Sequence, residues 1–125
     1  MEAIDSSGSK ARRAFDAPHP WDVSPREAIQ IQQELKGRVI CRDMLGPVRL
    51  VGGCDVGFEG GNRIARAAVA VLSFPDLTLV EYAVVRKRTR FPYVPGLLSF
   101  REAPVLLDAL TRLVRLPDLL LCDGQ

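Results

Sequence analysis

Three carboxylates that are far apart in the sequence have settings that favour metal chemistry, and Asp55 is the first of them. It lies in the middle of the short apolar stretch Leu50–Glu59, and at the two-residue period of a strand Gly53 and Gly57 share its face. Glycine inside a strand often marks a place where a ligand or another backbone comes close. The pattern therefore predicts open space around one negative charge. The alternative is that Asp55 ends the strand and begins a turn toward Gly60.

Asp123 and Glu102 are the other two carboxylates. Asp123 follows the uninterrupted apolar run Leu119–Cys122, which is typical of a buried strand, and open α/β sheets bind ligands at the carboxyl ends of their strands. The alternative there is an ordinary Asp-Gly turn. Glu102 stands three residues after Ser99, which is the spacing of a helix capping box. If Pro104 opens the helix instead, Glu102 lies just outside it and is available for other work.

A site made of these three carboxylates alone would suit a hard cation. Oxygen ligands without His or Cys favour Mg²⁺ or Mn²⁺, which bind through a few carboxylates together with substrate phosphate. Clustered carboxylates repel one another unless a cation lies between them. Such a cation activates water and stabilises charge on a phosphate under attack. We therefore expect Mg²⁺, or Mn²⁺, if the fold brings the three side chains together.

A basic run that leads into an aromatic loop is the second candidate feature. Residues 86–90 read Arg-Lys-Arg-Thr-Arg, and residues 91–96 read Phe-Pro-Tyr-Val-Pro-Gly. Arg88 and Arg90 would contact phosphates, and Tyr93, held between Pro92 and Pro95, would stack on a base or wedge between bases. The alternative is a solvated strand end followed by a rigid loop.

Bulk properties narrow the class of protein. The 125 residues are 47% hydrophobic with a net charge of +2, which fits one globular domain and says little about partners. Three cysteines without close spacing argue against a disulfide framework or a zinc site and favour buried reduced thiols. His19 is the single histidine, which argues against a Ser-His-Asp triad. The absence of a signal-like start or a long apolar run predicts a cytoplasmic protein without membrane contact.

The elements that must position these residues form an α/β pattern. Residues 1–20 are predicted to be a disordered arm, and residues 21–125 one domain. A helix capped by Ser24 should bury Ala28, Ile31, Leu35 and Val39 and end before Gly46. Strands at 50–59, 64–74 and 77–88 form an antiparallel meander. A second helix, stopped by Pro117, leads to a fourth strand that should pair in parallel; its predicted buried stripe is Ala103, Leu106, Leu107, Leu110, Leu113 and Val114.

Four ordered motifs resemble those of the endonuclease V family. They are Gly53-Cys54-Asp55-Val56-Gly57-Phe58, the loop 91–96, Leu98-Ser99-Phe100-Arg101-Glu102 and Cys122-Asp123-Gly124-Gln125. The resemblance implies a ribonuclease H-like mixed sheet with flanking helices. It also implies Mg²⁺-dependent hydrolysis of a phosphodiester bond near deoxyinosine in DNA, or inosine in RNA. Asp55, Glu102 and Asp123 match the family's metal-binding carboxylates, and Tyr93 with Pro92, Pro95 and Gly96 matches its aromatic wedge loop.

The resemblance stops where the family's pattern continues. The lysine, the further acidic residue and the His-Pro-Arg segment of that pattern have no counterpart after Asp123. We therefore interpret the chain as a C-terminally truncated, N-terminal portion of an endonuclease V, monomeric if complete and inactive alone. Its last strand should have one edge and an apolar face uncovered. Rival interpretations are another ribonuclease H-like nuclease and a nucleic-acid-binding remnant without cleavage.

Overall fold

A four-stranded sheet organises the chain. The computed structural model describes residue 15 and residues 17–123, so most of the predicted arm lies outside the described residues. The strands are β1 (Leu50–Glu59), β2 (Ile64–Ser73), β3 (Leu79–Arg88) and β4 (Leu119–Cys122), and the helices are α1 (Pro25–Lys36) and α2 (Ser99–Thr111). In the described part of the chain, no helix is long and apolar enough to cross a bilayer.

The strand order β3-β2-β1-β4 confirms the predicted mixed sheet. β1 and β3 flank β2 in antiparallel pairs, and β4 returns after α2 to pair with β1 in parallel. Asp55 pairs with Ala68 inside this ladder, and β1 runs on to Glu59. The alternative in which Asp55 ends the strand is therefore wrong.

Helix α1 begins as predicted and ends earlier. Its N-cap Ser24 accepts a hydrogen bond at 3.2 Å from the backbone N–H of Glu27, and Pro25 occupies the first turn. The helix ends at Lys36, with Gly37 as its C-cap, so the predicted extension to Val39 is wrong. Val39 is 66% exposed. The apolar helical spacing continues to Val39 in the sequence. A helix is stabilised mainly by packing, however, and none of the described elements covers Val39.

Helix α2 begins at Ser99 with Pro104 inside it. Its N-cap is Leu98, which makes no side-chain hydrogen bond, so the predicted Ser99 capping box is wrong. The N–H groups of Arg101 and Glu102 both donate to the carbonyl of Leu98, at 2.9 and 3.1 Å, and the first turn thus forms before Pro104. Pro104 therefore lies inside the helix, where it removes one backbone hydrogen bond, and it does not start the helix. Glu102 consequently lies within the first turn and not outside the helix.

The core lies between α2 and one face of the sheet. On β2 it consists of small side chains, Ala65, Ala67, Val69 and Val71, and the members from β3 and the α2 region are Ala83, Val85, Val105, Ala109, Leu110 and Leu113. Of the predicted stripe, Leu110 and Leu113 are buried, Leu106 and Leu107 are half-buried against the core, Ala103 is half-buried and Val114 is exposed. Val105 and Ala109, which were not predicted, are buried. Small side chains on β2 let α2 approach the sheet closely, and the α2 row of residues 101, 105 and 109 faces the sheet.

The opposite face of the sheet, which we call the open face, carries exposed apolar side chains. Tyr82 and Val84 on β3 are 69% and 49% exposed, and Leu121 on β4 is 60% exposed. Among the described residues β4 has β1 as its single partner strand. An uncovered face and an unpaired edge are therefore present, as the sequence predicted.

Candidate active site

Asp55 lies on the open face of β1. Cys54, Val56 and Phe58 pack against the core cluster, and Asp55 alternates with them and is exposed. A Cβ atom added at Gly53 or Gly57 would meet no atom within 4 Å, so both glycines leave the space beside Asp55 open. The Oδ1 atom of Asp55 accepts a hydrogen bond at 2.9 Å from the N–H of Val56.

Asp123 lies beside Asp55 at the end of β4. In the parallel register Cys54 is opposite Cys122. Asp55 follows Cys54, and Asp123 follows Cys122, so the two aspartates are next to each other on neighbouring strands. Neighbouring strands are about 4.8 Å apart, which makes these carboxylates close neighbours. Asp123 is exposed. The end of β4 therefore brings together two of the three predicted carboxylates.

Glu102 approaches the two aspartates from the first turn of α2. Burial raises the pKa of the half-buried Glu102 carboxyl, and the negative charges of Asp55 and Asp123 raise this pKa further, whereas Arg101 lowers it. Since this interaction needs proximity, the three carboxylates that are far apart in the sequence lie within electrostatic range of one another. Their role as metal ligands stays a prediction.

The donor atoms suit a hard cation, but their arrangement does not close a site. In the described chain no three side chains of His, Cys, Asp or Glu are arranged so that they could hold a metal ion. Asp55 projects from the open face, whereas Glu102 belongs to the helix on the other face. Three carboxylates with mutual repulsion are nevertheless the oxygen ligands that Mg²⁺ or Mn²⁺ prefers. The chemistry of the donors therefore fits the ion, although the described residues form no three-ligand group.

Tyr93 lies on an exposed loop next to a buried arginine. The Tyr93 side chain is 68% exposed, and the guanidinium of Arg101 is 5.8 Å from its ring centroid and 4.8 Å from that of Phe58. Such cation–π contacts favour one position of the ring. The loop is also held to α1, because the side-chain amide of Gln32 donates a 2.9 Å hydrogen bond to the carbonyl of Gly96. Tyr93 is thus presented to solvent on a supported loop.

The other predicted nucleic-acid-binding residues are also on the surface. Pro92, Pro95, Gly96, Arg88 and Arg90 are all exposed. Two neighbours in the basic run have acidic partners, since Arg86 pairs with Glu59, and Lys87 with Asp108 at 3.0 Å. Within the described residues Arg88 and Arg90 make no such pair, so their charges remain available to an anion.

Arg101 was missed by the sequence interpretation. It is 7% exposed, and its Nη2 atom donates a 2.8 Å hydrogen bond to the carbonyl of Asn62. It also lines a cavity of about 460 Å³ beside the basic run. The available signal was its spacing: Arg101, Val105 and Ala109 form one helical row, in which a charged residue among apolar ones is unusual.

The cysteines are free thiols, but the expectation that they are buried is wrong for two of them. Cys41 and Cys122 are exposed, and Cys54 is half-buried. The Sγ atoms of Cys54 and Cys122 are 3.2 Å apart on paired strands. Burial and the neighbouring Cys122 thiol raise the pKa of Cys54 to about 12. Cys122 is exposed because it lies on the edge strand, which apolar composition alone does not reveal.

Comparison with known proteins assigns this arrangement to a family. The family model for endonuclease V matches residues 33–125. The chain belongs to the endonuclease V family. Endonuclease V from Trichormus variabilis is 55% identical over 109 residues, which are 86% of this chain and 49% of that protein. The chain spans about half the length of the relatives it matches.

Solved structures of endonuclease V share the fold. The crystal structure from Streptomyces avermitilis has a TM-score of 0.77 and 40% identity, and the match covers 86% of this chain and 48% of that one. A Ciona intestinalis endonuclease V in complex with a 23mer DNA containing an inosine has a TM-score of 0.70 and 26% identity, covering 82% and 47%. The predicted mixed sheet with flanking helices is thus the architecture of the first half of this family.

Proposed function

We propose that this chain is the N-terminal half of a metal-dependent endonuclease that hydrolyses a phosphodiester bond near deoxyinosine in DNA, or near inosine in RNA. The observation that carries the proposal is the parallel pairing of β4 with β1, in which Asp55 and Asp123 directly follow the paired Cys54 and Cys122. Burial and the charges of these two aspartates raise the pKa of Glu102, and carboxylates that repel one another favour a cation between them. Family membership and the inosine-containing DNA bound by the Ciona intestinalis relative support the substrate class.

Each residue has a role that follows from its position. Asp55, Glu102 and Asp123 would hold Mg²⁺ or Mn²⁺, which when bound supplies activation of water and neutralisation of phosphate charge. Gly53 and Gly57 leave the strand face free for a nucleic-acid backbone. Tyr93 stacks on or separates bases beside the cleaved bond, and Arg88 and Arg90 contact phosphates on the same strand.

Binding without cleavage is the function we propose for the chain by itself. The incomplete carboxylate arrangement favours it, because the described residues form no closed metal site. Tyr93 is exposed, and Arg88 and Arg90 have no acidic partner in the part of the chain that the structure describes; both observations favour binding. The second half of the relatives would supply the remaining ligands.

A fusion tests the nuclease proposal. The chain is joined to the second half of the Trichormus variabilis endonuclease V, and nicking of a duplex with one deoxyinosine is followed with and without Mg²⁺. We expect Mg²⁺-dependent nicking that falls by about 100-fold or more in Asp55→Asn, since removal of a group that stabilises transition-state charge has this effect. Asp43→Asn, which alters an exposed carboxylate elsewhere, is the matched control. Equal cleavage of undamaged or branched DNA would indicate another ribonuclease H-like nuclease.

The unfused chain tests the binding proposal. We expect it to bind the deoxyinosine duplex, to lose most of that affinity in Tyr93→Ala, and to cleave in neither Mg²⁺ nor Mn²⁺. Stacking of one base on an aromatic ring contributes about 1–3 kcal/mol, so the loss should be at least about fivefold. Robust nicking by the purified 125-residue chain would contradict the proposed inactivity.

A further inference from the structure

We propose that the cavity beside α2 is an anion site that takes a backbone phosphate of the nucleic acid contacted by Tyr93. The identity of the ligand as nucleic acid rests on the proposed function, whereas the preference for phosphate rests on the cavity itself. The site is separate from the three carboxylates, since none of them lines it.

The cavity lies between three segments of the chain, with Ala65 of β2 as a further wall residue. The three segments are residues 21–23 before α1, the end of β3 with the residues after it, and the first turns of α2. Its volume of about 460 Å³ is sufficient for a phosphate group with its attached sugar. The apolar wall consists of Trp21, Val23, Ala65, Phe91, Pro92, Phe100, Pro104 and Val105, and the polar lining of Asp22, Lys87, Arg88, Thr89, Arg90 and Arg101.

The charge of the lining is predominantly positive. Lys87, Arg88, Arg90 and Arg101 oppose the single carboxylate of Asp22. Lys87 is paired with Asp108 at 3.0 Å, and the Arg101 charge interacts with Glu102, so the exposed Arg88 and Arg90 supply most of the available positive charge among the described residues. Two aromatic rings of the wall, Phe91 and Phe100, are stacked with their centroids 5.3 Å apart, and Trp21 meets Phe100 edge-on. An apolar wall strengthens the interaction of these cations with an anion.

Arg101 has a donor without a partner. Its side chain is more than nine-tenths buried, and its Nε atom has no hydrogen-bond acceptor within the described chain. Since solvent does not reach this Nε atom, Arg101 contributes its charge to the cavity, and the exposed Arg88 and Arg90 supply the guanidinium donors that match phosphate oxygens. The backbone N–H groups of Phe100, Arg101 and Glu102 at the start of α2 are not available to bind the anion. They already donate hydrogen bonds to the carbonyls of Leu97 and Leu98. The arginine side chains therefore make the site.

The position of the cavity connects it with nucleic acid. Arg101 lines the cavity and also lies under the Tyr93 ring, at 5.8 Å from its centroid. Pro92, which precedes Tyr93, forms part of the wall. A phosphate held here would fix a strand whose base reaches Tyr93, because successive phosphates and bases are only a few ångströms apart.

Inorganic phosphate tests the site without reference to nucleic acid. The ¹⁵N–¹H resonance of Arg101 Nε in the full chain is followed during titration with phosphate at constant ionic strength. We expect a saturable shift, and a rise in apparent Kd of about tenfold or more in the double variant Arg88→Gln/Arg90→Gln. Arg112→Gln, at the far end of α2, is the control and should leave the Kd unchanged. An Arg101 resonance that does not move, or that moves identically in the double variant, would overturn the proposal.

A scan of single methylphosphonates around the deoxyinosine tests the nucleic-acid source. Neutralising one phosphate should weaken binding of the wild-type chain by about tenfold at one position, and should cause no further loss in the double variant. Additive losses at every position, or no DNA binding at all, would exclude a nucleic-acid phosphate, and the titration would then identify a site for free phosphate. The same result on undamaged DNA, a loss of affinity at one phosphate that is absent in the double variant, would support the phosphate site. It would contradict the deoxyinosine preference of the proposed function.

Discussion

The two faces of the sheet differ in whether their apolar side chains are covered or exposed to solvent. The face toward α2 is closed by small residues, among them Ala67, Val69 and Val71, which are at most 1% exposed. The open face has apolar side chains, such as Tyr82 and Val84, that remain in contact with solvent, and the exposed Asp55 lies on the same face. The same strands therefore build the core on one side and present a candidate site on the other.

The two adjacent glycines of β1 show the same contrast at close range. A Cβ atom at Gly52 would lie 2.8 Å from Cγ of Pro117 and 3.0 Å from Cδ1 of Leu120, so close packing requires this glycine. A Cβ at Gly53 would meet nothing within 4 Å. Packing therefore explains one glycine and leaves the other, which neighbours Asp55, without a structural requirement.

The largest expected effect comes from a charge placed on either face of β3. Val85 is 6% exposed and Val84 is 49% exposed, so Val85→Asp should lower the free energy of unfolding by about 4 kcal/mol, and Val84→Asp by at most about 0.5 kcal/mol. Urea denaturation followed by circular dichroism measures both. Equal destabilisation by the two variants would mean that the open face is covered in solution, for example by a second copy of the chain.

A smaller effect is expected from adding one methyl group on either side of β1. Gly52→Ala should destabilise the chain by about 1–3 kcal/mol, because the new Cβ overlaps Pro117 and Leu120. Gly53→Ala should be neutral or stabilise by up to about 1 kcal/mol, because alanine restricts the unfolded chain. Thermal unfolding checks the pair. In the active fusion, Gly53→Ala should lower nicking although stability is kept; undiminished activity would contradict the proposed need for open space.

The smallest expected effect concerns the charge repulsion around Glu102. Its pKa is raised in the folded chain, so the folded state binds this proton more tightly and stability falls as pH rises from the ordinary value of 4.5 through the raised one. Glu102→Gln should remove this fall and stabilise the metal-free chain above that window by about 0.5 kcal/mol or less, since solvent screens the charges. Denaturation at several pH values measures the difference.

Asp55→Asn provides the complementary measurement on the same carboxyl. The substitution removes one of the charges that raise the pKa of Glu102, so this pKa should fall toward its ordinary value. Carboxyl ¹³C shifts during a pH titration report it directly. A pKa of Glu102 that stays the same in Asp55→Asn would show that the two groups are not within range of each other.

The sequence predicted features that depend on local pattern, and failed where packing decided. The cap of α1 at Ser24, the three antiparallel strands and the parallel fourth were predicted correctly, because capping and strand alternation are encoded in neighbouring residues. The end of α1, the start of α2 and the exposure of Cys122 were predicted incorrectly. Each of these depends on what lies beside the segment, since a helical pattern persists only where a surface buries it.

The same distinction between local sequence pattern and tertiary packing applies to the candidate site. The types of the residues, their order and the glycines beside Asp55 were sufficient to single out Asp55, Glu102 and Asp123 and to predict an oxygen-ligand site. Tertiary structure alone determined that Glu102 approaches from the helix-covered side. It also determined that the described residues contain no three-ligand metal group and that the buried Nε atom of Arg101 finds no acceptor among them. The physical reason is that side-chain chemistry belongs to each residue, whereas burial, distance and charge repulsion exist only between segments that folding brings together.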